Sequence, residues 1–192
     1  MDVSAQEPYV DQGVGASPDL SDGLLRLWAP YRSAYITSDE AKKQADPFLT
    51  LPDKSDEEAL IIARGDFVYA VLNLFPYNPG HMMIVPFRQV ADYTDLSAEE
   101  TAELADFTKI AMTTLRTVSN PDAINVGMNL GKASGGSVPT HLHQHVVPRW
   151  VGDANFMTVM TGTKVLPQTL RETWRLLSDQ WPRSAAQCHG GS

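Results

Sequence analysis

The stretch Thr140-His141-Leu142-His143-Gln144-His145-Val146-Val147-Pro148 places three histidines at alternate positions. Because side chains on an extended strand alternate between its two faces, the three imidazoles are predicted to share one face. Only two other histidines, His81 and His189, occur in the 192-residue chain. Rings crowded in this way lower one another's pKa values by repulsion unless an anion or a metal lies between them. The pattern therefore favours a ligand site over a plain solvated strand.

Two kinds of ligand suit three imidazoles on one face, namely a metal ion and a phosphate group that the middle ring attacks. The sequence offers few further ligands for a metal, because it has no Cys-x-x-Cys or His-x-x-Glu-His motif and its single Cys188 lies in a Gly/Ser-ended tail. The segment 129–137, Asn-Leu-Gly-Lys-Ala-Ser-Gly-Gly-Ser, lies just upstream of the histidines. Backbone N–H groups in such loops can form anion-binding concavities. The sequence thus favours phosphate, and a metal-dependent hydrolase remains the alternative.

These motifs resemble the histidine triad (HIT) family of nucleotide hydrolases and transferases, whose signature alternates histidines with apolar residues. The run 141–147 matches that signature except at Gln144, which is predicted to point away from the histidine face. The end of the run, 145–153, and the upstream segments 69–73 and 79–86 are similar to the fragile-histidine-triad branch, which handles dinucleoside polyphosphates. Over its whole length the chain is most similar to actinobacterial members of the family.

The resemblance implies nucleotidyl transfer on diadenosine polyphosphates through an adenylyl-histidine intermediate. The expected reaction is phosphorolysis of diadenosine tetraphosphate to ATP and ADP. A diadenosine polyphosphate hydrolase, a nucleoside phosphoramidase and a nucleotide-binding signalling module are the alternatives. No metal is expected to be required, although magnesium can accompany the nucleotide.

The same resemblance assigns roles to individual residues. It makes His143 the nucleophile and gives catalytic support to His141, His145 and Ser137. Further substrate contacts are expected from Asn73, His81, Asn129, Gly136 and Ser137. Lys132 and Arg149 are added because an anionic substrate of an acidic chain needs a local positive field.

Composition fits a globular domain inside the cell, with 43% hydrophobic and 20% charged residues. No run approaches the ~18 consecutive apolar residues of a membrane span, and the acidic start lacks a signal-peptide pattern, so a cytoplasmic location is expected. The net charge of −8 argues against non-specific nucleic-acid binding. The expected partners are adenosine nucleotides, inorganic phosphate and, by resemblance, further copies of the chain in a dimer or dimer of dimers.

The fold class predicted is α+β, an antiparallel sheet with a long helix packed on it. A capping box at Ser97 begins that helix, which should end before Pro121, and a similar pattern at Ser55 predicts a helical turn leading through Ile62. The resemblance implies a sheet that continues across a homodimer. The predicted strands are 67–72, 81–87, 123–130 and 140–147, with a short strand at 157–160, a helix near 24–35 and a helix at 168–181. The predicted organisation is a tail over 1–20, one catalytic domain over 21–182 and a tail over 183–192.

Overall fold

The structure is a computed structural model that describes residues 46–136, 138–153 and 168–182. Within these residues, five strands form one antiparallel sheet in the order β1-β2-β3-β5-β4. The histidine strand β5 therefore lies between β3 and the edge strand β4. The strand bounds are β1 Ile61–Arg64, β2 Val68–Leu72, β3 Met82–Pro86, β4 Ala123–Met128 and β5 Gln144–Arg149.

Four α-helices accompany the sheet in the described part of the chain. They are α1 Pro47–Thr50, α2 Asp56–Ala59, α3 Ala98–Ser119 and α4 Leu170–Gln180, and short 3-10 turns occupy Leu51–Asp53, Tyr93–Asp95 and Lys132–Ser134. Helix α3 begins at the predicted capping box, in which Ser97 and Glu100 exchange side-chain and backbone hydrogen bonds. It ends at Asn120, which is left-handed with φ 43°. Both long helices predicted from the sequence are confirmed.

The sheet separates two hydrophobic clusters. One lies under α3 and includes Leu104, Phe107, Leu142 and Val146, so alternate residues of the histidine segment face the helix. The other lies on the opposite face and contains residues of β1, β2 and β3 together with Phe48 of α1. The predicted α+β architecture with an antiparallel sheet is confirmed. Along the part of the chain that the structure describes, no helix is long and apolar enough to span a membrane.

Two predictions of local structure were wrong. The helical turn at Ser55 ends at Ala59, because Leu60 adopts a left-handed conformation with φ 58°, and the chain continues as strand β1, which the sequence did not predict. The histidine strand begins at Gln144 rather than Thr140. Gln144 is the first residue of the strand that pairs with both neighbouring strands, at Ile84 and at Met128. His141 and His143 therefore precede the strand.

Several other predictions fall on residues that the structure does not describe. They are the helix near 24–35, the short strand at 157–160, the two tails and Ser137.

Candidate active site

Strand β5 and the three residues before it bring the histidines of the triad to one side of the sheet. Their neighbours Leu142 and Val146 join the cluster under α3, and Gln144 donates from its side chain to Thr108 of that helix. The alternation predicted from the sequence thus holds, although only His145 lies on the strand itself. Gln144, which departs from the family pattern, has a polar partner on the helix side.

His143 is held in a defined tautomer. Its Nδ1 lies 2.8 Å from the carbonyl oxygen of His141, and a carbonyl oxygen can only accept, so Nδ1 carries the proton. The lone pair is then on Nε2. The His143 ring lies between Phe48 and His145, each with its ring centroid 5.0 Å away. An imidazole arranged in this way can act as a nucleophile through Nε2.

The pKa of His143 is lowered, and burial is the largest cause. The hydrogen bond to the His141 carbonyl opposes that shift, and the charge of His141 adds to it by a smaller amount. Mutual repulsion of the rings, on which the sequence argument rested, is therefore a secondary contribution. The desolvated ring is kept neutral and nucleophilic.

His145 belongs to a chain of hydrogen bonds that fixes its proton. The backbone N–H of Tyr77 donates to Nδ1 of His81 at 3.1 Å, which places the proton of His81 on Nε2. That nitrogen lies 2.9 Å from Nδ1 of His145. His81 consequently donates to His145, and a neutral His145 carries its own proton on Nε2. The ring of Tyr77 also packs on His81 with centroids 4.7 Å apart.

Three further residues predicted from the sequence join this group. Nδ2 of Asn129 lies 3.4 Å from Nε2 of His145, and Gly136 packs so closely that a Cβ there would lie 3.1 Å from Cβ of Asn129. Nδ2 of Asn73 lies 3.5 Å from Nε2 of His81. The structure therefore gathers the triad, His81, Asn73, Asn129 and Gly136 into one site.

The sequence also assigned Arg149 and Lys132 to the substrate, and both assignments stay predictions. The guanidinium of Arg149 binds the carboxylate of Asp153 through two nitrogens and Oδ1 of Asn125 through the third, and the Asp153 hydrogen bond raises the pKa of Arg149. Arg149 is four residues along β5 from His145, a separation of about 13 Å at the usual rise of a strand. Lys132 is exposed in its 3-10 turn. Neither side chain has a described contact with the histidines. Ser137 lies outside the described residues.

Sequence reasoning missed Asp46 and Phe48, which enclose the first half of the triad. Oδ2 of Asp46 lies 2.8 Å from Nδ1 of His141, and the Phe48 ring contacts both His141 and His143. Asp46 precedes a proline, and this pair is a usual helix start, so α1 itself could have been predicted. No local pattern links Asp46 to a histidine 95 residues later.

The described residues contain no group of three or more histidine, cysteine or acidic side chains arranged to hold a metal ion. The expectation that catalysis needs no metal stays a prediction.

Comparison with known proteins identifies the family. The HIT domain matches residues 54–151. The chain is 52% identical over 180 residues to "AP-4-A phosphorylase" of Mycobacterium tuberculosis, a match that covers 90% of each protein. It is 35% identical over 98 residues to "Bis(5'-adenosyl)-triphosphatase" of Saccharomyces cerevisiae, which covers 48% of this chain and 47% of the yeast protein. The chain belongs to the HIT domain family.

A solved structure agrees with this assignment. It is the zinc-bound histidine triad family protein from Mycobacterium smegmatis, with 27% identity and a TM-score of 0.52 over 67% of this chain and 85% of that chain. The HIT-like fold predicted from the triad is thus confirmed.

Proposed function

We propose that the protein transfers an adenylyl group from diadenosine tetraphosphate to inorganic phosphate and yields ATP and ADP. The observation that carries this proposal is the position of His143, whose Nδ1 is bound by the His141 carbonyl while Nε2 retains its lone pair. The 52% identity to a relative named AP-4-A phosphorylase supports the choice of substrate and acceptor.

In the first step, Nε2 of His143 attacks the α-phosphorus of one adenosine. A P–N bond forms, the bond from that phosphorus to the bridging oxygen breaks, and ATP leaves with the bonding electron pair. The product is an adenylyl group on His143. Burial lowers the pKa of His143, so the ring is neutral and its lone pair is available at neutral pH.

The negative charge that develops on the phosphoryl oxygens needs fixed donors. Nε2 of His145 and Nδ2 of Asn129 lie 3.4 Å apart, and each can donate a hydrogen bond to a third group. A phosphoryl oxygen beside these two groups would accept from both. His81 supports this arrangement because its own donation to Nδ1 keeps the His145 proton on Nε2. Asn73, next to His81, is assigned to the ribose hydroxyls.

In the second step, inorganic phosphate attacks the adenylyl group, the P–N bond breaks and ADP leaves with the new phosphate in its β position. The acceptor needs an anion site beside His143. The loop 131–136 suits this role because Gly131 and Gly135 have positive φ values of 73° and 82°, which turn backbone amides in a way few other residues allow. Ser137 and Lys132 are assigned to the same acceptor site. Arg149 is engaged by Asp153 and is not assigned to it.

A hydrolase is the second candidate, because the yeast relative is named a triphosphatase and the first step would be the same. Water in place of phosphate would release AMP. The two reactions therefore differ only in what reaches the adenylyl group.

The protein is further proposed to act in the cytoplasm as a homodimer whose sheet continues through β4. That strand is at the edge of the described sheet, and Val126 on it is 44% exposed. An edge strand with unpaired backbone groups is a template for a second copy.

The reaction is tested by incubating the purified protein with diadenosine tetraphosphate, with and without millimolar phosphate labelled with oxygen-18. We expect ATP and ADP, with the label in the β-phosphate of ADP, and almost no turnover without phosphate. AMP as the main product, unaffected by phosphate, would assign the protein to the hydrolases.

The requirement for a metal is tested in parallel by chelation. We expect nucleotide affinity to survive and only the contribution of any nucleotide-bound magnesium to be lost. Stoichiometric zinc whose removal destroys binding would contradict the phosphate-site interpretation.

A further inference from the structure

A buried pair of side chains, Asp46 and His141, lies directly behind the nucleophile, and neither side chain takes part in the steps above. Oδ2 of Asp46 is 2.8 Å from Nδ1 of His141, and Nε2 of His141 is 2.9 Å from the carbonyl oxygen of Pro86. The side chains of His141 and Asp46 are 0% and 6% exposed. Water therefore does not compete for these bonds.

The partners of His141 determine its protonation. The Pro86 carbonyl can only accept, so Nε2 carries a proton. The Asp46 carboxylate also accepts from the backbone N–H of Phe48 at 3.0 Å and from the side chain of Gln89 at 2.8 Å. An ionised carboxylate accepts from Nδ1 as well. Each ring nitrogen of His141 therefore faces an acceptor, and this arrangement suits a proton on both nitrogens.

The same carboxylate also determines the surroundings of His143. Asp46 caps the first turn of α1 and so holds Phe48, whose ring lies 5.5 Å from that of His141 and 5.0 Å from that of His143. His141, fixed between Asp46 and Pro86, presents its own carbonyl oxygen to Nδ1 of His143 at 2.8 Å. One side chain thus controls both the tautomer and one wall of the nucleophile.

We propose that Asp46 is a positioning residue that keeps His141 doubly protonated and, through the His141 carbonyl, keeps the lone pair of His143 on Nε2. The two charges of the pair cancel, so the carboxylate does not repel an anionic nucleotide. The effect on catalysis rests on the proposed function, in which His143 is the nucleophile. The protonation of His141 and the tautomer of His143 are independent of it.

The first test needs no variant of Asp46. Nitrogen-15 spectra of the histidine rings of the full chain, assigned with His141→Gln and His143→Gln proteins, report which ring nitrogens carry protons. We expect two protonated nitrogens on His141 at neutral pH and a single Nδ1–H tautomer on His143. A neutral His141 in the unmodified protein would overturn the proposal.

The second test is Asp46→Asn. The amide oxygen can still cap Phe48, while an amide N–H would face Nδ1 of His141 and force that ring to become neutral. We expect His143 to become a mixture of tautomers and kcat to fall by about 10–100-fold, the usual cost of losing a carboxylate that supports a functional histidine. KM should change much less, because no nucleotide contact is removed.

The matched control is Asp92→Asn. Asp92 is exposed and caps the Tyr93–Asp95 turn by accepting from Thr94, so this change removes the same charge from the same kind of cap away from the histidines. We expect unchanged kcat and histidine spectra. An Asp46→Asn protein with the kcat of the control, or with His143 still in one tautomer, would overturn the proposal. An unmodified protein inactive on diadenosine tetraphosphate would instead contradict the proposed function, and the ring spectra would still decide the role of Asp46.

Discussion

The two outer histidines of the triad, His141 and His145, have equivalent positions in the sequence and different surroundings in the structure. His141 is 1% exposed, and both of its ring nitrogens face protein acceptors. His145 is partly exposed, accepts a hydrogen bond on Nδ1 and directs Nε2 towards Asn129 beside the glycine-rich loop. Two histidines with equivalent positions in the sequence thus have different roles. His141 forms part of the wall of the site, and His145 can donate a hydrogen bond to substrate.

The source of this difference lies far from the triad in the sequence. Asp46 and Pro86 engage His141, whereas His81 and Asn129 engage His145. The middle histidine depends on both ends, because His141 supplies its hydrogen-bond acceptor and His145 packs against its ring. Removing each histidine should therefore have effects of different size and kind.

The largest effect is expected for His143→Gln. Loss of the nucleophile should reduce kcat on diadenosine tetraphosphate by on the order of 10⁴–10⁶-fold, since the group that forms the covalent intermediate is removed. Substitution of a supporting donor by His145→Gln should cost only about 10²–10³-fold. The measurement is the steady-state kcat of the two purified proteins, together with mass spectrometry to detect an adenylyl group bound to the protein.

Both variants should keep nucleotide affinity within a few-fold and unfold at similar temperatures, which controls for loss of structure. A His143→Gln protein that is more active than His145→Gln would remove His143 from the role of nucleophile. A residue other than His143 would then have to be the nucleophile that His141 and His145 support.

Sequence predicted those parts of the molecule that depend on local or periodic patterns. Alternation placed the triad on one side, and the Ser97 capping box located the start of α3 at the correct residue. Strand β1 was missed because it follows a helical turn with only one left-handed residue, Leu60, between them. The apolar run across this boundary has no period that distinguishes helix from strand. Boundaries of this kind are set by strand pairing rather than by propensity.

The site was predictable to the extent that its residues form motifs. His81, Asn129 and Gly136 come to the triad as expected, but Asp46 acts through a contact that no spacing reveals. Arg149 shows the opposite case, because the sequence assigned this cation to substrate and the structure pairs it with Asp153. Its neutralising partner Asp153, four residues later, was visible in the sequence.

A smaller effect than that of the triad is expected at His81. His81→Leu removes the Nε2–H donor to Nδ1 of the part-buried His145, at a cost of about 1–3 kcal/mol for the lost hydrogen bond, and lets the His145 proton occupy either nitrogen. We expect kcat to fall by about 10–100-fold, which corresponds to that cost.

The matched variant is His81→Gln, whose amide N–H can take the place of Nε2–H and restore the donor to His145. It should recover most of the activity that His81→Leu loses, as measured by kcat for both proteins under the same conditions. Equal losses in the two variants would show that His81 acts by shape alone. Asn129 would then be the neighbour that gives His145 a different role from His141.

The smallest effect concerns pH and separates His143 from an ordinary exposed histidine. Burial lowers the pKa of His143 in the folded protein, whereas the unfolded chain has the ordinary value near 6.5. As pH falls through that value, the unfolded state takes up a proton that the folded state refuses, so the free energy of unfolding decreases. This contribution to stability is fully present above pH 6.5 and is lost as pH falls from there towards the folded pKa. Urea denaturation at pH 7.5 and pH 5.5 should show a larger loss for the wild type than for His143→Gln, while kcat/KM stays constant until the pH is below 6.5. Equal losses in the two proteins, or an activity that declines already above pH 7, would mean that the His143 ring is not kept neutral by its burial.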